Sequence, residues 1–341
     1  MMRRSVPKLS RRKVLIAGGL AAGGLGAIAL RGAAGASEIA SERRGIAFGT
    51  TVFLKASHHD ARTLEAALDA AWMELVHVED AASLFRADSA ICRLNRDGVL
   101  AAPPARLVDT LKEALAISQM TDGAFDPTVQ PLWRLYDDAY QAGVYATSDE
   151  IARASALMGW RDVIVSDCEI SFKRPGMGLT LNGIAQGFAT GRCLEVLRAH
   201  GIENAFIDTG EIGAAGTRDG DQGYDSCWTA AIADPRKPDE AIGLAQPLHG
   251  VLATSGDYAT VWSSDYTHHH ILDPETARSP FVTASVSVLA QSGGLADGLS
   301  TAMMVMGPER SLALASRLTS VEALIIAKSG ERHATPGFPL A

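Results

Sequence analysis

The sequence predicts an α+β fold in which mixed and antiparallel sheets are packed by helices. Three observations carry this reading. Apolar residues recur at helical spacing in some segments, most clearly at Leu64, Leu68, Ala71, Trp72, Leu75 and Val76, while other segments are short runs rich in β-branched residues. The two kinds of segment do not alternate strictly, as a doubly wound parallel sheet would require. No Gly-x-Gly-x-x-Gly joins a strand to a helix, so a Rossmann site is not supported.

Taken in order, Phe48–Leu54 reads as a first strand, residues 60–80 as an amphipathic helix and Leu107–Ser118 as a second helix. Thr147-x-x-Glu150 has the pattern of a capping box opening a third, because a Thr hydroxyl and a Glu carboxylate three residues apart can cap each other's backbone N–H. Asp162–Ser166, Glu169–Phe172 and Leu179–Leu181 read as short strands. A helix over Gly183–His200 ends at Gly201, a residue suited to the left-handed conformation at a C-terminus. Further strands follow at Asn204–Asp208, Trp228–Ala233, Val251–Thr254 and Ser285–Ala290, then helices near 295–306 and 308–318 and a strand over Glu322–Ile326.

Residues 1–36 read as an export leader and 37–341 as the folded domain. Basic residues (Arg3, Arg4, Lys8, Arg11, Arg12, Lys13) precede an apolar run from Val14 to Leu30, and Ala34-Gly35-Ala36 offers a cleavage site. Ser10-Arg11-Arg12-Lys13-Val14-Leu15 resembles a twin-arginine signal, which implies a periplasmic destination. The alternative is an uncleaved anchor, but 17 residues containing five glycines make a poor span. Cleavage leaves 24 Lys and Arg against 39 Asp and Glu, a net charge of −15, which argues against nucleic acid or anionic lipid as a partner. No later run is long and apolar enough to span a bilayer. Cys92, Cys168, Cys193 and Cys227 show no CxxC spacing; either one disulfide or four free thiols is compatible with them.

Asp297 and Thr301 stand four residues apart in an apolar helix, on one face, where a carboxylate and a hydroxyl can share a hard cation. Alternatively Asp297 caps that helix and Thr301 is a half-buried surface residue. At Thr180-Leu181-Asn182-Gly183 a strand runs into a helix whose N-terminal N–H groups can meet a phosphate; the small residues there equally suit close packing. Thr121-Asp122-Gly123-Ala124-Phe125-Asp126 is a turn carrying an aromatic and a carboxylate, or a β-turn in which Asp126 bonds its own backbone. Ser83–Asn95 reads as a loop with a short helix. His268-His269-His270 offers a transition-metal cluster, or a hairpin with one imidazole turned inward.

Together these segments resemble, in order, the motifs of the ApbE family of flavin transferases. The family patterns are Met-Gly-Thr, Ser-x-Tyr-x-x-x-Ser-x-Ile-Ser-x-Leu-Asn, Gly-Ala-Phe-Asp-Pro-Thr-Val, Asp-Leu-Gly-Gly-Ile-Ala-Lys-Gly, Thr-Ser-Gly-Asp, His-Ile-Ile-Asp-Pro-x-Thr and Ala-Asp-Ala-x-Ala-Thr-Ala. Here they correspond to Phe48–Thr50, Ser83–Asn95, Gly123–Val129, Thr180–Gly187, Thr254–Asp257, His270–Thr276 and Ala296–Ala302, covering roughly residues 46–328. The resemblance implies a two-lobed α+β fold with FAD in a cleft and Mg2+ at its pyrophosphate. It implies transfer of FMN to a Thr or Ser hydroxyl of a target protein, with AMP leaving. It further implies that Phe48, Thr50, Phe85, Ser89 and Asn95 contact the flavin nucleotide, as do Ala124, Phe125, Asp126, Thr180, Gln186 and Leu272. Gly183, through its carbonyl, would join Asp297 and Thr301 as metal ligands, and His270 matches a histidine linked to activity. His270 and Asp257 are the candidates for taking the acceptor's proton.

The chain departs from the pattern in several places. Phe48 and Phe85 replace Met and Tyr, Thr180 replaces Asp, Gln186 replaces Lys, Gly191 replaces Asp, Cys92 replaces Ser, and Thr209-Gly210-Glu211 stands for Gly-Gly-Asp. With its leader, the chain resembles the NosX branch that accompanies nitrous oxide respiration. That branch implies a membrane-bound electron-transfer partner carrying the flavinylated periplasmic domain. Rival readings are a non-catalytic flavin-binding or delivery protein, an FAD pyrophosphatase, and a periplasmic metal chaperone using His58, His59 and His268–His270.

Overall fold

Exposed and half-buried residues alternate along most of the first strand, β1 (Ile39–Ala47), which forms a hairpin with β2 (Thr50–His58). The computed structural model describes residues 38–218, 226–237 and 239–341; the predicted leader lies outside them. Phe48 and Gly49, predicted to begin a strand, instead form the hairpin's two-residue turn, both with positive φ (52° and 72°). That turn matches the right-handed twist of the flanking strands. β1 itself escaped the sequence reading because Glu42, Arg43 and Arg44 give it the polarity of an exposed edge strand.

A helical layer follows: α1 (Ala61–Ala82), α2 (Ala90–Asp97) and, after the short β3 (Val99–Ala101), α3 (Ala105–Met120). Asp60 caps α1 by accepting from the Arg62 N–H, and Leu64, Leu68, Leu75 and Val78 lie fully buried along its apolar face. Each such side chain contributes about 1.5–3 kcal/mol on leaving water. After α4 (Gln130–Ala142), the predicted capping box of Thr147 and Glu150 opens α5 (Ser148–Ser155). β4 (Val163–Val165) and β5 (Glu169–Phe172) complete a three-stranded sheet in the order β3-β5-β4.

The predicted strand at Leu179–Leu181 is not one. Its backbone is extended, but Asn95 takes the place of a neighbouring strand: Leu179 N–H donates to Asn95 Oδ1 at 2.7 Å and Asn95 Nδ2 donates to the Leu179 carbonyl at 2.8 Å. Thr180 N–H donates to the Pro127 carbonyl. Local composition could not distinguish this side-chain pairing from a ladder.

From α6 (Ala185–Ala199) the chain builds the rest of the large sheet: β6 (Asn204–Asp208), β7 (Ile212–Ala215), then, past the two-stranded ribbon of β8 (Ala230–Ala233) and β9 (Ala241–Ala245), β10 (Gly250–Gly256) and β11 (Thr283–Ala290). α7 (Gly293–Ala315), β12 (Val321–Ala327) and β13 (Arg332–Ala334) close it. α7 is broken at Gly307 (φ 75°, ψ 171°) before Pro308, so it holds two helical segments, as the sequence predicts. The sheet runs β1-β2-β6-β7-β10-β11-β12-β13, antiparallel throughout. Alternation decides its faces. Val251, Ala253, Ala323 and Ile325 join the main core under α1, α6 and α7, whereas Leu252 and Leu324 join Trp228, Ile232 and Phe338 on the opposite face. None of the described helices is long and apolar enough to cross a membrane.

α6 and α7 approach each other closely through glycine. A Cβ at Gly187 would strike the Gly293 carbonyl and Asp297, and one at Gly293 would strike the Gly187 carbonyl and Gly191 N. Gly187→Ala is therefore expected to cost about 1–3 kcal/mol of stability, the range for overpacking. Urea unfolding checks this, the expected result being a lower midpoint at unchanged slope.

Candidate active site

The site is best built from the N-terminus of α6. Ile184 at its cap position offers no side-chain hydrogen bond, which leaves the first N–H groups to find acceptors elsewhere. One is supplied across the helix crossing: Gly187 N–H donates to Asp297 Oδ2 at 2.9 Å. The α7 cap, by contrast, is Ser292, whose Oγ accepts from Leu295 N–H, so Asp297 does not cap its own helix. Asp297 is 5 % exposed. Burial pushes its carboxyl well above the usual carboxylate range; the Gly187 N–H pulls it down and the Glu113 carboxylate pushes it up again. Its Oδ1 accepts no hydrogen bond among the described residues.

One turn on, the Thr301 hydroxyl faces Gly183, lying 2.9 Å from where a Cβ of Gly183 would sit, with Phe125 beside it at 3.4 Å. The structure thus brings Gly183, Asp297 and Thr301 together. It also adds a residue the sequence reading did not nominate: Ser255 Oγ on β10 lies 3.1 Å from Thr301 Oγ1 and 2.7 Å from Ser300 Oγ. Ser255 belongs to the Thr254–Asp257 motif, which was the available signal. Glu211 is a second such residue, its carboxylate accepting from Thr254 N–H at 2.8 Å.

The residues expected to contact the flavin nucleotide are held in different ways, and of them Phe125 lies beside Gly183 and Thr301. Phe48 is 7 % exposed, and its N–H donates to Glu79 Oε1 at 2.7 Å, which holds the left-handed turn; Thr50 opens β2 beside it, opposite Ala47. Phe85 is 71 % exposed. Ser89 is spent as the cap of α2, accepting from Cys92 N–H, and Asn95 is spent in the clamp on Leu179. Ala124 is half-buried and Phe125 buried. Asp126 accepts from Thr128 N–H and Oγ1 and from Trp160 N–H, while burial pushes its carboxyl up. Its observed bonds are therefore those of a turn.

Thr180 Oγ1 accepts from Asn182 N–H, and Gln186 Nε2 donates to the Thr209 carbonyl at 2.6 Å. Each of the two neutral replacements thus makes its own hydrogen bond within the protein. Leu272 is buried with Leu132, Ala154 and Ala277 against α4, in a cluster of its own.

His270 arrives on the excursion between β10 and β11, with its Nδ1 3.2 Å from the Thr260 carbonyl. Asp257 is fully buried and bound by Arg236 in a two-pronged pair (2.7 and 2.9 Å), with Lys328 Nζ at 3.4 Å. The three adjacent histidines do not converge. His268 is exposed, His269 is fully buried with Nε2 3.1 Å from the Pro280 carbonyl, and His270 turns to Thr260. Among the described residues no group of three His, Cys, Asp or Glu side chains is placed to hold a metal, which removes the basis for the metal-chaperone reading. The four cysteines are free.

This arrangement is matched by known proteins. The ApbE family pattern fits residues 48–325, and the chain belongs to that family. A relative from Vibrio cholerae, named FAD:protein FMN transferase, is 33 % identical over 283 residues, 80 % of this chain and 81 % of its own. One of the same name from Treponema pallidum is 28 % identical, with 83 % of each chain covered. The fold agrees with the structure of the Vibrio cholerae flavin transferase ApbE at a TM-score of 0.74 and 28 % identity, covering 89 % of this chain and all of that one. It agrees with the ApbE protein of Thermotoga maritima at 0.76 and 26 %, covering 88 % and 98 %. The two-lobed flavin-transferase fold expected from the motifs is the fold observed.

His269 sets an acid limit on stability. Burial lowers its pKa from 6.5 to about 4; the bond to Pro280 and Asp257 oppose this, and Lys328 and His268 reinforce it. Between these values the unfolded chain holds a proton that the folded chain refuses, so this contribution is complete above pH 6.5 and is lost as pH falls through 4. Up to about 3 kcal/mol is involved. Urea titrations from pH 7 to 4 are expected to show the decline, and His269→Gln to flatten it.

Proposed function

We propose that this protein is an exported, magnesium-dependent FAD:protein FMN transferase that attaches FMN to a Thr or Ser of a target protein and releases AMP. The observation that carries the reading is the meeting of Gly183, Asp297 and Thr301 at the crossing of α6 and α7, inside motifs that match the family along most of the chain. The donor set fits magnesium: it consists of oxygens, one of them on a buried carboxylate whose Oδ1 is left unbonded and whose anion is disfavoured until a cation offsets its burial. Three protein oxygens would leave the remaining positions to water and phosphate.

Magnesium, when bound there, neutralises charge on the oxygens joining the two phosphates. The protein's own residues orient and exclude. The N-terminus of α6 would offer its positive end to the phosphates, and Phe125 lies beside Gly183. The acceptor hydroxyl oxygen forms a bond to the FMN phosphorus, the bond from that phosphorus to the AMP oxygen breaks, and AMP leaves. His270 is assigned to take the hydroxyl proton, because the Asp257 carboxylate is occupied by Arg236 and Lys328.

The twin-arginine-like leader supports a periplasmic site of action and, with the NosX resemblance, a membrane-bound electron-transfer protein as target. An FAD pyrophosphatase would use the same site without a protein acceptor, and a flavin carrier would bind FAD without cleaving it.

AMP and FMN release from FAD is measured on the mature protein with magnesium, with and without an acceptor domain, together with in-gel flavin fluorescence of the acceptor. A fluorescent acceptor matched by AMP supports transfer. AMP with free FMN alone indicates hydrolysis, and bound FAD without AMP indicates a carrier. Asp297→Ala is expected to reduce AMP release by about 1000-fold or more, the scale of losing transition-state charge stabilisation. The fold is expected to survive, as read by circular dichroism; full activity in this variant overturns the metal assignment.

A further inference from the structure

The excursion from residue 258 to 282 carries His270 yet contains no helix or strand; only isolated bridges hold it (Val261 to His269, Asp273 to Arg278). Its first part is a hairpin. Trp262 N–H donates to the His268 carbonyl at 2.8 Å, and His270 N–H donates to the Thr260 carbonyl at 3.1 Å. A loop of this length leaves an imbalance between its chemical task and its backbone bonding, so its position must be set from outside.

One anchor is apolar: Trp262 stacks on Tyr136 of α4, ring centroids 5.6 Å apart. The other is ionic and buried. Asp257, immediately after β10, donates its N–H to the Ala284 carbonyl of β11 and presents its carboxylate to two cations from distant parts of the chain. Arg236 comes from the turn between β8 and β9, and Lys328 from the end of β12. Both cations reach onward to one residue of the hairpin tip. The Arg236 guanidinium lies 4.3 Å over the Tyr266 ring, and Lys328 Nζ donates to the Tyr266 carbonyl at 2.5 Å. Tyr266 has a positive φ of 61°, a conformation a bulky residue keeps only where its surroundings hold it. Asp257 also follows Ser255 by two residues, on the same face of the chain, so this cluster begins roughly 7 Å along from the contact with Thr301.

We propose that Arg236, Asp257 and Lys328 form a positioning device: the buried carboxylate fixes two cations, the cations fix Tyr266, and Tyr266 fixes the hairpin that presents His270. In this assignment Asp257 acts through other residues and takes no proton from the acceptor. Both cations of the trio contact Tyr266 in the hairpin. The inference rests on the flavin-transfer reading for its activity arm alone.

The test compares the mature parent protein with Arg236→Gln, Arg236→Lys and Lys328→Met in magnesium-dependent AMP release from FAD in the presence of acceptor. It adds NMR of the His270 imidazole Cε1–H, assigned with His270→Gln. Displacing a reacting group by about 1 Å costs on the order of 100-fold. Arg236→Gln is therefore expected to lower kcat about 10- to 100-fold with KM for FAD nearly unchanged, and to shift or broaden the His270 resonance. Arg236→Lys keeps the charge without the two-pronged fork and is expected to recover part of both. Lys328→Met is expected to act in the same direction while leaving the far-ultraviolet circular dichroism of the fold intact. An unaltered His270 resonance in Arg236→Gln overturns the proposal, as does an unchanged kcat, or a loss seen only in KM for FAD. A parent protein that releases no AMP defeats the transferase reading instead, and the NMR comparison still decides the positioning claim.

Discussion

The hydrogen bond from Gly187 N–H to Asp297 Oδ2 is the contact on which the candidate site depends. It forms because α6 and α7 meet through Gly187, Gly191 and Gly293, where side chains of any size would hold the backbones apart. The same crossing aligns Thr301 with Gly183 and buries Asp297 beneath the helix terminus that most favours an anion. Stability and site geometry are thus two outcomes of one packing solution. A buried carboxylate held by a single N–H is costly on its own terms, a cost that the proposed cation would offset.

Around this point the fold relies on side chains that stand in for backbone. Asn95 clamps Leu179 in both directions, Glu79 holds the turn at Phe48, and Glu211 meets Thr254. Each ties the site to an element remote in sequence, so the loops carrying functional residues are fixed without lengthening any strand. Further out, Glu74 is buried between Arg106 of α3 and Arg192 of α6, an ion pair that locks the helical layer against itself. Removing one member of such a group leaves a charge without a partner, which is far worse than never having had the pair.

The departures from the family pattern take on physical meaning once partners are known. Gln186 and Thr180, where the family carries Lys and Asp, direct their hydrogen bonds to Thr209 and Asn182. Gly191 replaces an Asp within the helix crossing, where a Cβ would meet Gly293 N at 3.0 Å. Thr180 and Gln186 thus carry neutral hydrogen bonds and Gly191 close packing where the family pattern carries charge, while Gly183, Asp297 and Thr301 match that pattern.

The sequence by itself determined the α+β class, the helices α1, α3, α5, α6 and α7, most strands but not β1, β3, β7, β9 or β13, the break before Pro308, and the order of motifs that places the chain in its family. These follow from periodicity and from residues whose local chemistry is strong, such as the Thr147 cap or Gly201. It misread Leu179–Leu181, because a segment paired to a side chain and one paired to a strand share the same composition, and Phe48, because an apolar aromatic in a positive-φ turn reads as a strand residue. It offered Asp257 and His270 as equals, and His268–His270 as a cluster. Burial, ion pairing and the direction of a side chain depend on residues far apart in sequence, so only the tertiary structure shows that Arg236 and Lys328 hold Asp257, that His269 Nε2 lies beside the Pro280 carbonyl, and that His270 Nδ1 lies beside the Thr260 carbonyl.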